Sequence, residues 1–569
     1  MFYINNFNNK YVYLLFLLTS NETIQLSTIP TPQDLGETMS NSSDPKIPSL
    51  PLFVGISCLF FSCNLAAKEY IVKPHNKLKY YNTKTFNQSG KLGLKIVDSI
   101  DTLNLVKISL DDTTDPADAL TRVVEYFDAD YLVENSKLYA FLDFSDPDRQ
   151  AQWALNAVQA PQAWDISVGA HDVVVAVVDT GVALTHEDLK DNIWGNINEI
   201  AGNGKDDDNN GFVDDVNGWD FVGKDNDPTD ETSAQNPGHG THCSGIIGAV
   251  GGNNVGVCGI SPQVSIMPLR FLGSDGSGDL YDAVKAIDYA INNGAHIISA
   301  SFGATVPESG AQPLIDAIKR AEEKGVIFVA AAGNEGNSND TTNTYPANTN
   351  ASNMISVAAS DVNDQKPSWS NYGRKVHIAS PGVDILSTIP TGYDKLSGTS
   401  MATPLIAGIV ALMKSVDISL TGSQARSIIQ STGDVVAIET ESSRRVNAAH
   451  AVDAVRKKSL TLVPATATFE PGSTATFSAW GGVAPYQFSS QNTDIATIDT
   501  NGNFSAIAEG DVVIEVIDAA QNQATSISIR VQKAKPAQET CPINNEFLCM
   551  ILCAIKPDLP WCTTFELHK

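Results

Sequence analysis

Val173-Val-Val-Ala-Val-Val-Asp179-Thr-Gly181 reads as a short apolar strand that ends on a carboxylate and a glycine. Val326-Ile-Phe-Val-Ala330 repeats the strand texture further along. Helical stretches lie between and around such strands, among them Leu280 to Asn292 and Ala311 to Lys324. The alternation runs from about Asp146 to Arg456 and predicts a parallel sheet with helices on both faces, an α/β fold. In that architecture reactive side chains gather at strand ends and in the adjoining loops. Asp179 stands at such an end.

The flanks have other textures. The 569 residues are too many for one ordinary core, so several domains are expected. Residues 1–67 hold an Asn/Ser/Thr-rich start and then an apolar run from Leu50 to Ala67, preceded by Lys46. That is the shape of a signal peptide cut near Ala67, with Met39 the expected translation start. The apolar part is short for a membrane span, so no stable span is expected. Phe60-Phe-Ser-Cys63 offers a weaker lipoprotein-like alternative. Residues 68–144 form a small α/β segment: strands Glu69 to Lys73 and Leu105 to Leu110, a helix from Asp115 to Phe127 with proline in its first turn, and further strand from Tyr131 to Leu142. Residues 145–457 are the main α/β domain. Residues 458–533 alternate Thr, Ser, Val and Ile between turns such as Thr500-Asn-Gly-Asn503 and read as a β-sandwich. Residues 534–569 are a linker and a tail with Cys541, Cys549, Cys553 and Cys562. No C-x-x-C pair occurs there, which favours disulfides over a metal site in an oxidising compartment.

The net charge of -28 argues against nucleic acid or anionic membranes as partners. It suits an extracellular protein that binds hard cations through carboxylates. Acidity for solubility alone would explain scattered charge, but the aspartates here cluster.

Three short motifs fall in the α/β region in the order Asp, His, Ser: Val177-Val-Asp179-Thr-Gly181, Gly238-His239-Gly-Thr-His-Cys-Ser-Gly245 and Leu396-Ser-Gly-Thr-Ser400-Met-Ala-Thr-Pro404. A serine hydroxyl is a poor nucleophile at neutral pH. It needs an imidazole to take its proton and a carboxylate to fix the imidazole tautomer. Singly, each motif is weak evidence, since an Asp after a strand is usually a cap and Gly-Thr-Ser usually a turn.

Together the motifs resemble the subtilases, the subtilisin-like serine proteases, and especially their thermitase-like members. The resemblance implies that Ser400 is the nucleophile, His239 the general base and acid, and Asp179 the orienting carboxylate. Ala331-Ala-Gly-Asn334-Glu-Gly336 matches the family's oxyanion segment, which makes Asn334 a side-chain donor beside the backbone N–H of Ser400. Ser400 is expected to begin the helix of Met401 to Met413, whose N-terminus favours developing negative charge. His242 is expected to be structural.

The resemblance also implies a substrate cleft. Asp275-Gly-Ser277-Gly278 and Ser299-Ala-Ser301-Phe302-Gly303 are similar to segments that pair with substrate as added strands. The first specificity pocket would be walled by Ser301 to Gly303 and by Ala331, Ala332 and Gly333, with Thr344 near its floor. These segments contain no acid, so a broad preference for apolar or medium-sized side chains is expected.

Calcium is the expected cofactor. Asp206-Asp-Asp208-Asn-Asn210-Gly211-Phe-Val-Asp214-Asp215 sets oxygen ligands at alternating positions around a glycine, like the start of an EF-hand loop but without its closing Glu. Asp206, Asp208, Asn210 and Asp215 are the candidate ligands, against the alternative of an acidic solvated insert. By resemblance a further calcium site would use Asp146, Asp188 and Asn253.

Residues 68–144 sit where subtilases carry a propeptide, an inhibitor removed by the enzyme, here between about Ala140 and Asp146. Ile495 to Gly510 resembles the second group of bacterial immunoglobulin-like domains. The reading is a secreted, autoprocessed serine endopeptidase acting as a monomer on proteins and peptides. One alternative is a surface adhesin with a vestigial protease scaffold; another is a processing protease with a single substrate.

Overall fold

The computed structural model describes residues 69–75, 94–110, 123–124, 127–135 and 143–533. The expected signal segment, most of the expected 115–127 helix and the cysteine-rich tail lie outside the described residues. The chain divides into two compact units, Met1–Lys137 and Leu138–Lys569.

In the first unit β1 (Glu69–Pro74), β2 (Leu94–Ile100), β3 (Leu105–Leu110) and β4 (Ala129–Glu134) form an antiparallel sheet in the order β2-β3-β1-β4. Along β1 alternate residues are buried: Tyr70 and Val72 join Ile96, Val106, Ile108, Val123 and Phe127 in a small core. The sequence reading did not foresee β2.

The second unit is built on a nine-stranded sheet. Its strands are β5 (Gly169–Asp179), β6 (Trp219–Asp220), β7 (Gln263–Arg270), β8 (Ile297–Ala300), β10 (Ile327–Ala331), β12 (Met354–Ser360), β13 (Ile378–Pro381), β16 (Asp434–Val435) and β17 (Arg444–Arg445). They pair in the order β16-β17-β13-β12-β10-β8-β5-β7-β6, parallel throughout except at the β16 edge. Outside this sheet, β9 (Ala304–Thr305) pairs with β11 (Thr344–Tyr345), and β14 (Ile385–Ile389) with β15 (Gly392–Leu396).

The unbroken apolar strands bury both faces, and the period of two sends alternate residues to opposite sides. Val173, Val175 and Val177 pack with α3 (His239–Gly248), α6 (Thr399–Val416), α7 (Gly422–Thr432) and α8 (Ala448–Lys457). Val174, Ala176 and Val178 pack with α4 (Leu280–Asn292) and α5 (Glu308–Glu323). Short helices α1 (Trp153–Ala157) and α2 (Ala160–Trp164) lead into β5. By length and composition α6 could cross a bilayer, but 83% of it is buried within the fold. From β5 the chain moves to β7 on one side and returns to β8 on the other. The carboxyl end of β5, where Asp179 sits, is thus the point at which strand order reverses, the usual place for a site in such sheets.

Residues 461–531 fold into short strands around Phe477, Phe504, Ile514, Val516 and Ile529. Trp480 packs against the core of the parallel sheet, and Tyr486 against that of the strands. The Ala465 N–H donates to Ser427 Oγ on α7.

Candidate active site

Two glycines let the first two motifs meet. A Cβ on Gly240 would lie 2.2 Å from the Gly181 carbonyl, so the first turn of α3 can rest on the end of β5 only if that residue is glycine. Asn236 Oδ1 accepts from the Gly238 and His239 N–H groups at 3.0 and 2.8 Å and holds the start of α3. As a result His239 Nδ1 lies 2.7 Å from Asp179 Oδ1, which also accepts from the Thr180 N–H. Asp179 is fully buried. Burial opposes a charge on His239, but the Asp179 carboxylate more than offsets this and holds its pKa well above the ordinary 6.5. His242, on the same helix, is buried and bonded through Nε2 to the Asp394 carbonyl. Burial pulls it down to about 4, so it stays neutral at pH 7.

Ser400 stands in the first turn of α6. Asn334 Oδ1 accepts from the Thr399 N–H at 2.9 Å and from Thr399 Oγ1 at 3.0 Å. These bonds occupy the oxygen end of the amide of the exposed Asn334. Ser400 Oγ donates to the Ser301 carbonyl at 3.1 Å, and no hydrogen bond joins it to His239 in this conformation. Such bonds are often loose until substrate is bound.

A cleft of about 640 Å³ with mixed polar and apolar walls begins at His239. Ser277 and Gly278 line it together with Ser301, Phe302 and Gly303, and Phe271, Leu280 and Leu314 supply apolar surface. Ala332, Gly333 and Thr344 lie outside this cleft. Thr344 is buried in β11, with Cγ2 3.5 Å from where a Gly303 Cβ would stand. One neighbour escaped sequence reasoning. Glu335 Oε2 lies 2.6 Å from where a Gly333 Cβ would stand and accepts from Asn371 Nδ2. A carboxylate therefore adjoins the wall that the sequence segments left free of acids.

Two acidic sites follow. Asp188 Oδ1 and Oδ2 accept from Asn253 Nδ2 and the Val257 N–H, while Asp146 accepts from the N–H groups of Gly252 and Asn254. Both aspartates are buried, and neither has an ion-pair partner among the described residues. Burial, against several hydrogen bonds and with help from Asp146, lifts Asp188 to about 6. Elsewhere, carboxylate oxygens of Asp206 and Asp208 gather with Glu199 within 4.8 Å of one another. Glu199 Oε2 is buried without a hydrogen-bond partner. Its place ahead of the Asp-rich run hid it from a spacing argument. Asp215 is engaged instead by Asn196, Asn210 and the Tyr289 hydroxyl, and Asn210 Oδ1 accepts from the Phe212 N–H. Cys243 and Cys258 are buried free thiols.

Asp179 and His239 thus meet at the carboxyl end of a central strand of the parallel sheet, and Ser400 stands in the first turn of α6. The sequence model of the Subtilase family matches residues 170–457, and that of the bacterial Ig-like domain (group 2) matches residues 457–529. Thermitase of Thermoactinomyces vulgaris is 43% identical over 286 residues, which are 50% of this chain and 89% of that protein. A thermophilic serine proteinase of Bacillus sp. (strain AK1) is 40% identical over 255 residues, 44% of this chain and 55% of its own length. A solved protease from Pseudoalteromonas arctica aligns with a TM-score of 0.46 at 29% identity, over 55% of this chain and 99% of its own. The chain belongs to the subtilase family, and it is a serine endopeptidase.

Proposed function

We propose that this protein is a secreted, calcium-stabilised endopeptidase of broad specificity, made as a zymogen and activated by its own cleavage. The observation that carries the reading is the 2.7 Å contact between the buried Asp179 carboxylate and His239 Nδ1, at the head of a cleft. Asp179 holds the Nδ1–H tautomer and leaves Nε2 as the base. His239 takes the Ser400 proton as Oγ attacks the scissile carbonyl, then returns it to the leaving amine. Asn334 Nδ2 and the Ser400 N–H receive the oxyanion. The acyl-enzyme is hydrolysed by water through the same groups. An adhesin with a vestigial scaffold has no need of this contact.

Substrate would enter as an added strand between Ser277-Gly278 and Ser301 to Gly303, held through its backbone and hence tolerant of sequence. Phe271, Leu280, Phe302 and Leu314 suit apolar side chains. Ala332, Gly333 and Thr344 would shape the first pocket, where Glu335 adds tolerance for basic side chains. Replacing Asn334 by glycine is expected to lower kcat about 10²- to 10³-fold with KM little changed. Steady-state kinetics on a chromogenic peptide checks this, and a loss confined to KM refutes the oxyanion role.

The buried carboxylates of Asp146 and Asp188, without an ion-pair partner among the described residues, fit a hard cation, with Asn253 beside them. Asp206, Asp208 and Glu199 fit a second, backed by Asn210 and Asp215. Calcium at either place would neutralise clustered charge and do no chemistry. Chelation is expected to lower the melting temperature of the inactive Ser400→Ala protein by about 5 °C or more. Asp188→Asn should remove part of that calcium-dependent shift; an equal shift in both proteins counts against the Asp188 site.

Residues 68–144 would block the cleft until they are cut off, and residues 458–533 would serve contact or spacing outside the cell. Proteins and peptides are the partners the reading implies.

A further inference from the structure

Pro404 stands four residues after Ser400 inside α6. In an α-helix the carbonyl of one residue accepts from the N–H four residues on. Proline has no N–H, and its ring crowds the carbonyl that would have used it. The nucleophile's own carbonyl is thus denied its ordinary helical donor. Even a part-buried carbonyl without a donor is costly, so another group is favoured.

Two side chains from outside the helix reach it. Ser301 Oγ donates to the Ser400 carbonyl at 2.9 Å, and Cys243 Sγ lies 3.4 Å from the same oxygen. Ser301 directly follows β8, and Cys243 lies one turn beyond His239 on α3. Both residues are buried, and burial pushes the Cys243 thiol up, so it remains a neutral, weak donor. The carbonyl of the nucleophile is therefore held by one side chain beside the sheet and one on the helix of the general base.

We propose that Ser301 is a positioning residue for catalysis, its hydroxyl replacing the N–H that Pro404 lacks, with Cys243 as a weaker second donor. The inference rests on Ser400 being the nucleophile. The chemistry explains why such a substitute matters. Ser400 supplies both the attacking Oγ and an oxyanion N–H, and both directions are set by the backbone of this one residue. A carbonyl free to swing in search of a donor would turn both groups at once. A side-chain donor anchored on the sheet fixes them without continuing the helix.

The test is a cycle of four proteins: the parent, Ser301→Ala, Pro404→Ala and the double variant. Rates are referred to active sites titrated with a serine-directed phosphonyl reagent, so misfolded molecules are not counted. Ser301→Ala is expected to lower kcat about tenfold with KM unchanged, the effect of one hydrogen bond used to align the transition state. In the Pro404→Ala background residue 404 regains an N–H, and the same change should cost about twofold or less. Ser301→Thr, which keeps the hydroxyl, should retain kcat within about threefold of the parent and guards against poor folding of the Pro404 variants. An equal cost in both backgrounds, a loss confined to KM, or equal losses for alanine and threonine overturns the positioning role. An inactive parent would instead overturn the assignment of Ser400 itself, so the two failures are distinguishable.

Discussion

Ser400→Ala is expected to lower kcat about a million-fold and to leave the purified protein at precursor length. The first effect follows from the chemistry. With no hydroxyl there is no acyl-enzyme, and His239 and Asp179 are left without a nucleophile to activate. Removing the nucleophile from such a unit costs nearly as much as removing all three members, and the residual rate comes from the oxyanion donors and binding. The fold should not suffer: Ser400 Oγ makes one hydrogen bond, to the Ser301 carbonyl, and alanine is a good helix former. The melting temperature should stay within a few degrees, so lost activity and lost structure separate cleanly. The second effect follows if the enzyme cuts its own junction. Mass spectrometry of Ser400→Ala protein from a protease-free host checks it, and normal cleavage between about Ala140 and Asp146 would falsify self-processing. Phe144 packs edge-on against Trp164 at 4.8 Å, and Asp146 bonds to the loop at Gly252, which favours a cut ahead of Phe144.

Asp179→Asn is expected to cost about 10⁴-fold in kcat, because an amide in that place favours the wrong imidazole tautomer and withdraws the charge that stabilises the imidazolium. The pH profile carries the finer evidence. The base must be neutral to act, so activity rises with pH as His239 loses its proton. With its pKa held well above 6.5, the rise in kcat/KM should be centred above 6.5 and the enzyme should favour alkaline conditions. In Asp179→Asn the remaining activity should rise at lower pH, since the group that raised the pKa is gone. An unchanged midpoint would mean that Asp179 does not face the catalytic imidazole in solution. The same pair affects stability with the opposite sense. A histidine raised in the folded state adds stability that is fully present below its unfolded pKa, near 6.5, and is lost as pH rises through the higher folded value. The alkaline limb of activity therefore coincides with loss of this contribution, one reason to expect the fold to lean on cations instead.

Much of the site was legible before any coordinates. Asp179, His239, Asn334 and Ser400 each sit in a short motif whose glycines and small residues mark a close approach of backbones. Gly181 and Gly240 do meet at such an approach. The apolar strands and amphipathic helices were equally plain. Less was visible where partners come from distant segments. Glu199 joins Asp206 and Asp208 only because the intervening chain folds back on itself. Glu335 reaches the wall at Gly333 through a turn that no spacing argument describes. Strand β2 lacks a strong pattern of its own, most of its side chains being exposed, and it is fixed by pairing with β3.

The α/β sheet and the chain order of the Asp, His and Ser motifs were determined by the sequence alone, because they rest on residue type and local period, and the roles expected of Asp179, His239, Ser400 and Asn334 came with the resemblance those motifs carry. Which hydroxyl holds the Ser400 carbonyl, that Glu199 gathers with Asp206 and Asp208, and the upward shift of the His239 pKa were decided by the tertiary structure. Those properties depend on distance and burial between segments far apart in the chain, and no local pattern encodes them.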